Sequence, residues 1–138
     1  MIRVNSYWIE DYLDQVEWHV DADDHPLNRL NMKDETSRAI LVEQLLLPAF
    51  NDLSVYQQSL LKQTLRYAVN FSSNRDWENW TRNSLPDISS EPVAMFREVW
   101  GMLFRGELWF LNTEDGYSLN DNAGDRLHAE KYRSNAHQ

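Results

Sequence analysis

The sequence predicts a mostly α-helical single domain, a bundle of five or six helices with a small β-hairpin near residues 107–119. Three observations carry that expectation. Apolar residues recur at spacings of three and four through most of the chain, the period of a helix with one buried face. Cap residues and prolines stand where such helices should start and stop. Only after Gly106 does the pattern turn to clustered strand formers around a glycine-containing turn. The 138 residues include six Trp, six Tyr and five Phe, enough apolar bulk for one core that buries roughly two thirds of the unfolded surface. One globular unit is assigned to residues 1–133, and residues 134–138 are read as a frayed tail.

The first helix runs from Asn5 or Ser6, either of them a suitable N-cap, to about Asp21. It ends by Asp23-Asp24-His25-Pro26, because the residue before a proline is pushed out of the helical region. Residues 27–33 read as a loop. Asp34 or Thr36 opens a second helix through Leu47, too broadly apolar for a surface element, and Pro48 kinks or ends it. Ser54-Val55-Tyr56-Gln57 has the form of a capping box, Ser at the N-cap and Gln three residues on. The helix behind it, about 55–72, is apolar around most of its girth. Val55, Lys62, Gln63, Arg66 and Asn70 fill the narrow remaining strip, which suits a central position. Residues 76–82 form a short helix and 83–90 a loop containing Pro86. Ser90-Glu91-Pro92 starts the next helix with cap, acid and early proline in a favourable order, and Val93, Phe96, Val99, Trp100, Leu103 and Phe104 share one face. Residues 107–111 and 117–119 then supply the hairpin strands, and Asn120 or Asp121 caps a last helix over about 122–133. Trp77, Trp80 and Trp109 are either core or a second aromatic surface.

Charge is distributed unevenly. The formal net charge is −9, and residues 1–35 hold nine of the 22 acids but only three of the 13 bases. The stretch from Glu10 to Asp24 contains seven carboxylates and no Lys or Arg. On a helix, Ile9, Tyr12, Leu13, Val16 and Val20 form a core-facing stripe, while Glu10, Asp14, Glu17 and Asp21 follow one another at steps of four, three and four. Tyr7, Asp11 and Trp18 border this acidic stripe on the side away from the core. Like charges at these spacings cost about 0.2–0.5 kcal/mol per pair, and no basic residue of the helix relieves them.

Several function classes are disfavoured. There is no cysteine for a disulfide, thiolate metal site or nucleophile, and no run of 18 apolar residues to span a membrane. The N-terminus lacks the apolar core of a signal peptide, so a cytoplasmic protein is expected. No histidine stands in a motif with a nucleophile, no serine sits on a Gly-x-Ser-x-Gly elbow, and the four glycines are too scattered for a phosphate loop. A row of carboxylates along one helix is not a pair opposed across a cleft, so no catalytic residues are assigned. Asp21 to Met32 fails as a calcium loop, with Pro26 where glycine is needed and Met32 where a bidentate Glu is needed; neither a metal nor a cofactor is expected.

Two resemblances bear on function. Phe96 to Arg105, the strand formers 106–110, the turn and Tyr117-Ser118-Leu119-Asn120 resemble the helix, wing hairpin and final helix of winged-helix DNA-binding regulators. The pattern departs from that family where function would lie. Residues 91–138 carry eight acids against five bases, and the wing tip would be Glu114-Asp115, which disfavours phosphate binding. An acidic regulator or adaptor on such a scaffold is the alternative reading. In size, negative charge and lack of cysteine, the whole chain resembles the small acidic immunity proteins with which bacteria neutralise their own nuclease toxins, including those of contact-dependent inhibition. That resemblance implies a cytoplasmic inhibitor, a monomer when free, that binds neither nucleic acid nor membrane. Its partner would be a cognate protein toxin with a basic surface, whose cleft it covers with carboxylates in place of substrate phosphates. The expected contact residues are Tyr7, Glu10, Asp11, Asp14, Glu17, Trp18 and Asp21, the aromatics as anchors and the acids for steering and ion pairs.

Overall fold

A computed structural model describes residues 1–15, 31, 33–82, 91–120 and 122–128. Its elements are β1 (Ile2–Val4), α1 (Ser6–Gln15), α2 (Glu35–Leu41), a π-helical turn (Val42–Leu46), α3 (Leu47–Asn51), α4 (Val55–Phe71), α5 (Asn74–Thr81), α6 (Pro92–Leu103) and β2 (Tyr117–Leu119). The mostly helical class is as the sequence predicts. The second half of the first helix, the loop 83–90, the last helix beyond His128 and the tail 134–138 lie outside the described residues; residues 122–126, expected to begin that last helix, form a turn held by the Asn122 C=O accepting the Asp125 N–H at 3.1 Å.

Local chemistry explains most helix boundaries. Asn5 caps α1: its Oδ1 accepts the Tyr7 N–H at 2.9 Å, and its C=O accepts the Trp8 N–H at 3.0 Å. The capping box at Ser54 forms in both directions, Gln57 N–H to Ser54 Oγ at 3.1 Å and Ser54 N–H to Gln57 Oε1 at 2.9 Å. A second box, between Ser73 and Asp76, starts α5 two residues earlier than the sequence reading placed it. Pro92 opens α6, and Asn74 Oδ1 accepts the Val93 N–H at 3.0 Å, so the start of one helix is satisfied by another.

Pro48 neither breaks nor sharply ends its helix. The chain widens to a π turn just before it, with the Leu47 N–H reaching back to the Val42 C=O, and continues as α3 with the proline near its start. Proline has no N–H and its ring crowds the preceding turn; the wider turn accommodates both. The Tyr12 hydroxyl donates to the C=O of Leu46 in this turn, tying α1 to it. Burial pushes the Tyr12 phenol far above its ordinary value.

The core gathers all the helices. Trp8, Tyr12, Leu13, Leu46, Leu61, Val69, Trp77, Phe96 and Trp100 are almost wholly buried within it. Trp77 stacks on Phe96 at 4.3 Å between centroids, meets Trp80 edge-on at 5.1 Å, and its Nε1 donates to Ala68 O at 3.1 Å. Trp77 is therefore core, and Trp80 is half-buried against it. Trp109 is half-buried too, with the Arg97 guanidinium 4.2 Å above its ring.

The hairpin near 107–119 does not form, and the winged arrangement goes with it. β2 pairs instead with β1, in parallel, Ile2 opposite Tyr117, Arg3 opposite Ser118 and Val4 opposite Leu119. Residues 107–111 have no strand partner because Asn70 takes the inward backbone groups. Its Nδ2 donates to Trp109 O at 2.7 Å and its Oδ1 accepts the Leu111 N–H at 3.0 Å. Gly106 and Gly116, both with positive φ (84° and 88°), turn the chain into this strap and into β2 respectively.

Candidate functional site

The outward side of α1 is built by exclusion. Trp8, Ile9, Tyr12 and Leu13 turn into the core, leaving Tyr7, Glu10 and Asp14 on the opposite side, at spacings of three and four. Tyr7 and Glu10 are half-buried and Asp14 is exposed. The Glu10 carboxyl is pushed above its ordinary value, first by partial burial and next by the charge of Asp14; Arg126 pulls the other way, and Asp11 adds to the rise. Partial burial and the neighbouring carboxylates therefore make the charged form of Glu10 costlier than in a free side chain, and Arg126 offsets part of that cost.

Asp11 corrects the expectation of a surface ligand. It is 4% exposed, because residues 122–128 pack over that side of α1. Its Oδ2 accepts the Leu127 N–H at 2.8 Å, and its Oδ1 is ion-paired with the Arg126 guanidinium. Neighbouring residues grip the same segment. Trp8 Nε1 donates to Asp125 O at 2.8 Å, Asn5 Nδ2 donates to Asn122 O at 3.2 Å, and Gln57 Nε2 donates to Leu127 O at 3.0 Å from α4. Asp11 is a buried strut between α1 and residues 122–128, where the sequence reading places it on the rim. Glu17, Trp18 and Asp21 lie outside the described residues, so the structure brings together Tyr7, Glu10 and Asp14 of the seven expected positions.

Elsewhere on the surface, Leu108 is 81% and Phe110 62% exposed on the strap. In extended backbone alternate side chains face opposite ways, so holding Trp109 and Leu111 inward turns these two outward. The strand formers of 107–111 are the sequence signal for an extended segment, but they do not tell a hairpin strand from a strap with two side chains turned outward. Among the described residues no group of three or more His, Cys, Asp or Glu is arranged to hold a metal ion, and no helix is long and apolar enough to cross a membrane. The chain matches no protein-family model, no curated protein and no solved structure.

Proposed function

We propose that this protein is an immunity-type inhibitor that binds a cognate bacterial toxin, a nuclease in the first instance, and covers its basic cleft with acidic surface. The observation that carries the reading is the outward side of α1. There Glu10 and Asp14 stand together with no basic residue on their helix, beside the half-buried ring of Tyr7. An acidic surface complements a basic cleft and speeds association with it. In sequence the same stripe continues through Glu17 and Asp21, with Trp18 beside it. On this reading the protein is a cytoplasmic monomer when free, uses no metal or cofactor and catalyses nothing.

The test is a charge reversal of the exposed face, Glu10→Lys with Asp14→Lys. The toxin is sought as the basic C-terminal domain of a large secreted protein encoded beside this chain. Cells expressing that domain should be rescued by the unmodified protein and not by the double variant, whose circular dichroism should be unchanged. Full rescue by a folded double variant would remove this face from the interface. A second reading, an acidic regulatory or adaptor protein, draws on the exposed Leu108 and Phe110, which are apolar anchors of the kind partner proteins cover. It is distinguished by binding that survives the α1 reversal and fails in Leu108→Ser with Phe110→Ser.

A further inference from the structure

In a chain of net charge −9, α4 carries two bases, Lys62 and Arg66, and no acid. They lie four residues apart, on one side of the helix, and both line a cavity of about 360 Å³ between α4 and the chain that follows α6. Its apolar wall is made by Phe50 and Phe104, packed edge to face at 5.2 Å, with Val55 at 84% exposure on the same lining. Lys62 is already neutralised by Glu107, its Nζ 2.6 Å from the carboxylate. Arg66 is not. Its guanidinium lies 4.9 Å from the centre of the Trp100 ring, and among the described residues it makes no ion pair and its side chain no hydrogen bond.

Two polar atoms in this lining, Gln63 Oε1 and Arg66 Nε, are closed off from water and have no partner. Buried polar groups are nearly always paired, and two unpaired ones side by side on adjacent turns need an explanation. The geometry points to a binding site for a carboxylate carried on a short apolar body, either a free small acid or the terminal carboxylate of a peptide. Arg66, half-buried with its guanidinium near the Trp100 ring, offers its two terminal nitrogens as a planar fork that takes two carboxylate oxygens. The Nε2 of Gln63, an amide donor on the same lining, is a second hydrogen-bonding group for the carboxylate. Phe50, Phe104 and Val55 cover the apolar body. The local charge sets the class. Arg66, Lys62 and Glu107 sum to a single positive charge, suited to a monoanion, and the Glu107 carboxylate disfavours a phosphate dianion. The volume lies at the small end of ligand cavities, which limits the body to about one ring or a short chain. This site lies on α4 and draws nothing from the reading of α1.

The experiment is a nuclear magnetic resonance titration of the full chain, following the Trp100 indole N–H, which donates to Glu107 O at 2.8 Å at the cavity edge. The probes are 3-phenylpropionate, its uncharged amide, inorganic phosphate, and a short peptide ending in Phe with a free or an amidated terminus. Saturable shifts with 3-phenylpropionate at a Kd of about 1 mM or tighter, and about tenfold weaker binding of the amide, are the expected result. Arg66→Gln and, separately, Gln63→Leu should each weaken it by about tenfold while the remaining spectrum shows an intact fold. Tighter binding of the free-terminus peptide than of the small acid would make a chain terminus the natural source; the reverse would favour a free acid. No saturable shift, a response equal for acid and amide, or phosphate binding tighter than the acid would overturn the proposal.

Discussion

At the scale of single residues, the carboxylates of α1 have opposite roles that charge alone does not distinguish. Asp11 accepts a buried N–H and pairs with Arg126, so Asp11→Ala leaves the Leu127 N–H unpaired. That should cost about 1–3 kcal/mol in urea-induced unfolding. Glu10 differs. Its folded value is raised, so in the window above the ordinary carboxylate range the folded state holds more proton than the unfolded one. Stability contributed there is present at low pH and is lost as pH rises through the raised value. Glu10→Gln should therefore stabilise the protein at neutral pH and have no effect near pH 3, read as unfolding midpoints across pH. The difference between Asp11 and Glu10 was not legible in the sequence. Both fit a helix rim, and only the segment 122–128, more than a hundred residues away, decides which of them is covered.

At the scale of elements, what could be read early was whatever is local. The Ser54 capping box, the proline opening α6 and the apolar faces of α4 and α6 follow from neighbours within a turn or two, and the structure has them all. The hairpin failed for a non-local reason: residues 107–111 are extended as their composition suggests, but a side chain on α4 satisfies them. That makes a direct expectation. Asn70→Ala should release the strap, exposing Trp109 O and the Leu111 N–H, with amide exchange at Leu111 accelerated far more than at residues of α4 itself. Pro48 teaches the same lesson on a smaller scale. The helix is altered in the π turn Val42–Leu46, with Leu47 between it and Pro48, and not at the proline itself.

At the scale of the whole molecule, the excess of nine negative charges works against compactness. Salt should therefore stabilise the protein. Between about 0.01 M and about 1 M the screening length falls from about 30 Å to about 3 Å, so the urea midpoint should rise across that range. A fall would mean that ion pairs such as Arg38 with Glu98 and Arg126 with Asp11 outweigh the general repulsion. The parallel pairing of β1 with β2 has a further consequence, in the order of events during synthesis. Residues 2–4 leave the ribosome more than a hundred residues ahead of their strand partner, residues 117–119, and the inner side of α1 is closed by residues 122–128. At about 5–20 residues per second the first helix waits on the order of ten seconds for the chain that seals it. Through that interval Trp8 and the Asp11 carboxylate lack their covering, and a ribosome stalled short of residue 117 would hold α1 outside its final setting.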